Sequence, residues 1–386
     1  MQVLILTNAI TPDKLGGSYR YARELADGLA SSGVDVIVAT KRIHAGDAAL
    51  ERSPSGALLS RFDVPAKSQH SYVASYPLAV ARAVRRALRE YPNAIVHTHY
   101  PVPALAVALG TRSFVSTFQA PVHRELLSER QGSYLLPTIT HRPMVEAVRL
   151  AERLIAQRAR RVIVLSEFSR GLLAQLNRRA GAEAIVIPGG IDLERFHPGP
   201  RGDAPWPALF TARRLVPRTG VGELIAAMPE IVAAYPQATL AVAGTGELDG
   251  ALRAQISALG LGERVRLLGR VSEDELVRRY QQADLVVLPT QELEGFGLTT
   301  AEALACGTPV LGTPAGATPE LLAPIDASLV TAGTGPDQIA RAALGLLADR
   351  ARLERLAQVS RARVDPAMGW PAVVARHLEV YESLAR

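Results

Sequence analysis

The 386-residue chain has one cysteine, Cys306, and aromatic residues make up only 5% of it. A lone cysteine excludes an internal disulfide and any four-cysteine zinc site. With so few rings, the cores have to be built from Ala, Val, Leu and Ile. Lysine is scarcer still: Lys14, Lys41 and Lys67 are the only lysines among 43 basic residues, a choice that high-G+C coding bias explains more simply than guanidinium chemistry. The opening MQVLILTNAI falls far short of the roughly 18 apolar residues that span a bilayer. It also lacks the basic region and small-residue cleavage site of a signal peptide, so a cytoplasmic protein is expected. No two aspartates are separated by a single residue, no 20–50-residue repeat is visible, and no P-loop sequence G-x-x-x-x-G-K-[ST] occurs. The turn after the first apolar run, DKLGGS, is not G-x-G-x-x-G, which argues against a nicotinamide cofactor.

What is present is ample length and apolar content. Hydrophobic residues make up 48% and charged residues 21%, which suits a globular chain, and the length suits two domains of about 100–200 residues each. The formal charge of +6 is unevenly placed. Residues 1–190 hold 24 Lys and Arg against 14 Asp and Glu, whereas residues 191–386 hold 19 against 23. The excess therefore belongs to the first half, and it points to an anionic small molecule or surface better than to nucleic acid. Arg82, Arg85, Arg86 and Arg89 give one predicted helix a basic face. A solvated helix is favoured there over peripheral membrane contact.

Strand and helix alternate throughout. VLILTN, VDVIVAT, AIVHTH, SFVSTF, RVIVLS and AIVIPGG read as strands, with YRYARELADGLASSG, PLAVARAVRRALREY and MVEAVRLAERLIAQRAR as helices. The proline- and glycine-rich stretch PGGIDLERFHPGPRGDAPWP, residues 188–207, marks a linker. The alternation restarts after it with ALFTARRL, TLAVAG, VRLLG, LVVLPT and PVLGT as strands. The predicted architecture is two Rossmann-like α/β domains with parallel sheets, residues 1–190 and 191–367, whose ligand sits in a cleft beyond the strand ends. The tail from 368 to 386 is predicted to be a helix crossing back onto the first domain.

Three segments carry chemistry. In ELEGFGLTTAEALACGTPV, residues 292–310, a strand delivers a loop with Gly295 and Gly297 that opens a helix. Such a place suits an anion, because backbone N–H groups are free there and the helix dipole is positive. Glu294 in the loop and Glu302 in the helix would each accept hydrogen bonds from neighbouring hydroxyls. In TARRLVPRTG, residues 211–220, Arg214 and Arg218 follow a strand and are placed to meet a diphosphate. In DKLGGS, Gly16 and Gly17 precede a helix. Taken singly, each segment also fits an ordinary turn. Cys306 is expected to pack in an apolar helix turn.

Taken in order, these segments resemble glycosyltransferase family 4, retaining nucleotide-sugar enzymes of the GT-B fold. The likeness covers nearly the whole chain. It rests on the Gly16-Gly17 loop, VHTHY at 96–100, VIVLSEFSRGLL at 162–173, VIPGGIDLERFHP at 186–198, RLVPRTG at 214–220, AVAGTGEL at 241–248, the Glu294 segment and AGATPELL at 315–322. The resemblance implies transfer of a sugar from a nucleotide-sugar co-substrate, UDP- or GDP-linked, to a hydroxyl of a sugar, lipid-linked or natural-product acceptor. It implies no metal and no other cofactor. Glu294 would bind hydroxyls of the transferred sugar, and the amides of Gly295, Phe296, Gly297, Leu298 and Thr299 would cradle sugar and diphosphate. Glu302 would grip the ribose, Arg214 would neutralise the leaving group, and Gly16 and Gly17 would bring further amides to it. The context that the resemblance implies is bacterial glycan or natural-product biosynthesis.

The chain departs from the family pattern twice. Thr219 stands where a lysine is common before the glycine, with Arg218 as a candidate replacement. Gln119 stands where the family carries a histidine near the donor sugar, and glutamine cannot carry a proton or a charge. His99, at a strand end, and His123 are candidate substrate contacts. His97 and His99, two apart on one strand, are equally suited to a buried core. Three rivals stay open: a nucleotide-sugar epimerase of the same fold, a dinucleotide-dependent oxidoreductase, and a non-catalytic nucleotide-sugar-binding homologue. The loops around residues 42–76 and 119–142, which would select the acceptor, match no readable pattern.

Overall fold

In a computed structural model the described residues are 1–14, 16–65, 69–128, 138–201 and 205–385. Parts of both acceptor-selecting loops and of the linker, with Lys67, lie outside them. Two compact units are present: the chain leaves the first at Gly190/Ile191 and returns to it at Gly369/Trp370, and residues 125–128 group with the second.

The first unit holds strands β1 (Gln2–Leu6), β2 (Asp35–Lys41), β3 (Leu50–Arg52), β4 (Leu58–Phe62), β5 (Ile95–Thr98), β6 (Phe114–Phe118), β7 (Arg161–Val164) and β8 (Ile185–Val186). Their spatial order is β3-β4-β2-β1-β5-β6-β7-β8, and every pair is parallel except β3–β4. β1 lies inside the sheet with Val3, Leu4, Ile5 and Leu6 all buried. That explains why it reads as an unbroken apolar run rather than an alternating one. The β3–β4 hairpin is absent from the sequence reading. β4 alternates buried and half-buried positions, but one buried place is taken by Arg61, which breaks the apolar signal.

Strands β9 (Ala208–Ala212), β10 (Thr239–Ala243), β11 (Val265–Gly269), β12 (Leu285–Leu288) and β13 (Val310–Gly312) make the second unit's sheet. It is wholly parallel in the order β11-β10-β9-β12-β13. β12 is buried along its length. Both units are doubly wound sheets of the GT-B kind.

In each sheet the winding direction reverses once, between β1 and β5 in the first and between β9 and β12 in the second. At such a point the loops leaving the two neighbouring strands diverge, opening a crevice beyond their carboxyl ends. The segments singled out above lie on those loops. Gly16 and Gly17 follow β1, His99 follows β5, Arg213–Thr219 follow β9 and Glu292–Gly297 follow β12.

The last helix, Trp370–Ala385, belongs to the first unit. Two glycines make room for it. A Cβ on Gly28 would lie 2.7 Å from Val374, and one on Gly190 would lie 2.3 Å from the Trp370 ring.

Candidate functional site

The loop after β9 is knitted to the loop after β10. Arg213 N donates to Ala243 O, Leu215 N to Thr245 O and Leu248 N to Leu215 O. The approach is close enough to demand glycine, since a Cβ on Gly244 (φ +132°) would meet Arg213 O at 1.8 Å. On the other side, Gly220 (φ +72°) lies where a Cβ would meet Pro289 O at 1.7 Å. The loop is thus fixed from both neighbouring strands.

Fixed in this way, it presents three arginines. Arg213 Nη1 donates to Glu294 Oε2 at 2.6 Å and its Nη2 to Thr290 Oγ1 at 2.9 Å. Arg214 is exposed. Arg218 is half-buried, its Nη1 3.4 Å from Leu293 O. Burial and then the neighbouring Arg214 pull the Arg218 pKa below the ordinary guanidinium value, while Glu125 and then Glu294 act to raise it. The contact with Leu293 O brings the Arg218 guanidinium beside the Glu294 loop. Thr219 turns the other way: it is buried, and its hydroxyl lies 2.7 Å from both Arg214 O and Val216 O. That hydroxyl braces the loop from inside.

Glu294 is held at backbone and side chain together. Leu293 before it has φ +53° and is the sole non-glycine residue with positive φ among those described. Strain of this kind costs on the order of 1 kcal/mol and persists only where the surroundings impose it. Here Arg218 O accepts from Gln291 N and Glu292 N, and Ala317 N donates to Glu294 O at 2.8 Å. Gly316 (φ +67°) passes so close that a Cβ on it would lie 2.4 Å from Glu294 O.

Gly297 (φ +88°) opens the helix Leu298–Ala305, and no side chain caps it. The first amides of a helix have no intrahelical partner, so they face the Glu294 loop with a positive dipole behind them. Phe296 is buried beneath the loop, and Leu298 and Thr299 are half-buried. Glu302 lies one turn inside, buried, with the Tyr280 hydroxyl donating to its Oε2 at 3.0 Å. One of its oxygens is thereby engaged within the protein. Cys306 is also buried, and burial pushes its thiol up to about 12.

In the first unit, Gly16 precedes the helix Gly17–Ser31, again without a side-chain cap. Asp13 anchors this loop. Its carboxylate takes Arg61 Nε at 2.8 Å and Nη2 at 3.2 Å, and both side chains are 95% or more buried. His99 is buried with neither ring nitrogen hydrogen-bonded, its ring 4.2 Å from that of His97. Burial, and secondarily His377, hold its pKa at about 3, so it is neutral. His123 is buried with Nδ1 2.5 Å from Glu152, a contact within the fold. Gln119 is half-buried at the end of β6, with its side-chain nitrogen buried and unpartnered. The face of Arg82, Arg85, Arg86 and Arg89 lies on the helix Gln69–Glu90.

Arg213 and Gly316 escaped the sequence reading. Arg213 is one of two adjacent arginines, and only the pairing shows which of them turns toward Glu294. The AGATPELL segment was noticed, but nothing local shows that its glycine backs Glu294. Among the described residues no group of three His, Cys, Asp or Glu side chains is placed to hold a metal. No described helix is long and apolar enough to cross a membrane.

Residues 15–195 match the family described as Glycosyltransferase Family 4, and residues 202–363 match Glycosyl transferases group 1. The chain is 27% identical over 244 residues to a GDP-mannose-dependent monoacylated alpha-(1-6)-phosphatidylinositol monomannoside mannosyltransferase of Corynebacterium glutamicum. That match covers 58% of this chain and 63% of the relative, under two thirds of its length. It is 29% identical over 320 residues to a phosphatidyl-myo-inositol mannosyltransferase of Mycolicibacterium smegmatis, covering 80% of this chain and 75% of that one. Among solved structures, a sucrose-phosphate synthase from Thermosynechococcus elongatus superposes with a TM-score of 0.83 at 23% identity, over 99% of this chain and 98% of that one. The two family matches run in order along nearly the whole chain, and the chain belongs to glycosyltransferase family 4.

Proposed function

We propose that the chain transfers a hexose from a nucleoside-diphosphate sugar to an acceptor hydroxyl with retained configuration. The observation that carries this reading is the gathering of Glu294, Arg213, Arg214 and Arg218 at the second sheet's switch point, beside an uncapped helix N-terminus. GDP-mannose is the first donor to test, because it stands in the corynebacterial relative's name. UDP-glucose is the second.

In this reading the acceptor oxygen attacks the anomeric carbon from the face the diphosphate leaves. The carbon–phosphate oxygen bond breaks as the glycosidic bond forms, and the acceptor proton passes to the departing phosphate oxygen. Negative charge grows on the diphosphate, where fixed guanidinium groups and helix amides stabilise it without reorganising. Arg214 and Arg218 supply the guanidiniums and residues 295–299 the amides, and we propose that no metal takes part. Glu294 accepts from sugar hydroxyls. Glu302 is proposed to accept from the ribose. Gly16 and Gly17 are proposed as further diphosphate contacts, with Gln119 and His99 as candidate sugar contacts. A cytoplasmic location is part of the same proposal.

Nucleoside diphosphate release from GDP-mannose or UDP-glucose, followed over a panel of glycan, lipid and small-molecule acceptors, tests this. Glu294→Ala is expected to lower kcat/KM by about 1,000-fold with unchanged circular dichroism. Wild-type-like turnover in that variant would overturn the assignment. Tight donor binding without turnover on any acceptor would favour the non-catalytic reading that Thr219 and Gln119 invite. Epimerised sugar from donor alone would favour the epimerase.

A further inference from the structure

Glu294 can serve a sugar only if its carboxylate is held in one orientation, and its loop alone does not do this. Ala317 N and Gly316 fix its backbone, but neither touches the carboxylate. The carboxylate is met by Arg213, whose Nη1 donates to Oε2, with side chains only 8% and 17% exposed. The guanidinium is itself held, since Nη2 donates to Thr290 Oγ1 and Thr290 is fully buried. Thr290 O in turn accepts from Thr313 Oγ1 at 2.5 Å, which ties the arrangement to the end of β13.

We infer that Arg213 is a positioning residue: it holds Oε2 of Glu294 and leaves Oε1 directed to the hydroxyls of the transferred sugar. The inference rests on the donor-site reading above. It separates the arginines by task. Arg213 acts through the carboxylate, whereas the donor-site reading assigns Arg214 and Arg218 to the diphosphate.

Calorimetric binding of GDP and GDP-mannose (or UDP and UDP-glucose, whichever binds tighter) separates these tasks. Arg213→Met is expected to weaken the nucleotide sugar about tenfold and the bare nucleoside diphosphate less than twofold. Arg213→Lys keeps a cation near Oε2 but loses the forked contact with Thr290, so its nucleotide-sugar binding is expected to fall between that of the unaltered protein and Arg213→Met, with the bare nucleoside diphosphate changed less than twofold. In a Glu294→Gln background, Arg213→Met is expected to cost the nucleotide sugar less than twofold, because its action passes through the carboxylate. Equal weakening of diphosphate and nucleotide sugar would make Arg213 a diphosphate ligand and overturn the inference. So would an undiminished loss in the Glu294→Gln background. If Glu294→Gln alone leaves nucleotide-sugar binding unchanged, it is the donor-site reading that fails.

Discussion

At the scale of single residues, the site depends on a few positions where one atom more or less decides the geometry. Gly316 is the sharpest of these. A methyl group there would lie 2.4 Å from Glu294 O and 2.6 Å from its Cβ, at a φ of +67° that an L side chain rarely adopts. Gly316→Ala must either distort its own turn or push Glu294 aside. The expected result is a fall in kcat/KM of about 100-fold, as misplacements of about an ångström produce, with a lowered Tm. Turnover and melting curves measured side by side check it, and unchanged kcat/KM would remove Gly316 from the support of Glu294. Thr219 makes the complementary point. Its position in the sequence invites comparison with a lysine, yet its side chain faces into the loop, and the neighbouring guanidinium of Arg218 reaches the Leu293–Glu294 ground.

At the scale of elements, strands were legible because burial on both faces leaves continuous apolar runs such as Val3–Leu6 and Leu285–Leu288. The β3–β4 hairpin was not, because the side chain that matters in β4 is charged. Arg61 is buried by pairing with Asp13, 48 residues away, and with Glu51. No local pattern encodes such a partner. The pair joins the Gly16–Gly17 loop to β4, so losing one member leaves a buried charge uncompensated. Asp13→Ala is expected to destabilise the chain by about 3 kcal/mol, read from chemical denaturation. A change below about 1 kcal/mol would show that Glu51 alone satisfies Arg61.

At the scale of the whole molecule, stability at mild acidity follows from how the C-terminal helix is seated. His377 on that helix meets the Tyr21 hydroxyl through Nε2 at 3.0 Å, and Tyr381 meets His97 Nδ1 at 2.7 Å. His97, His99, His377, Tyr21 and Tyr381 are all buried together, with Arg376 as the nearby charge on His377. Burial lowers all three histidines, to about 3 for His99 and about 4 for His377. In the unfolded chain they titrate near pH 6.5. As pH falls, the unfolded state therefore binds protons first. This contribution to stability is full above about pH 6.5 and is lost as pH drops toward 4, by up to about 1.4 kcal/mol per pH unit for each histidine. His377→Gln keeps an acceptor for the Tyr21 hydroxyl and removes one titration. Its Tm is expected to decline less steeply between pH 7 and pH 5 than that of the unaltered chain, and parallel declines would show that His377 does not contribute.

The charge asymmetry between halves, the paired α/β pattern, the glycine loops, Glu294 and the arginine-bearing loop were all determined by the sequence, because each is set by composition, periodicity or residues close together in the chain. Only tertiary structure decided which of two adjacent arginines holds Glu294, that Gly316 backs it, that Glu302 is engaged by Tyr280 and that His123 is engaged by Glu152. Those facts depend on side chains 22 to 81 residues apart meeting at particular angles. Hydrophobic periodicity fixes where strands and helices form, but the direction of a polar side chain in a loop is set by the partner it finds there.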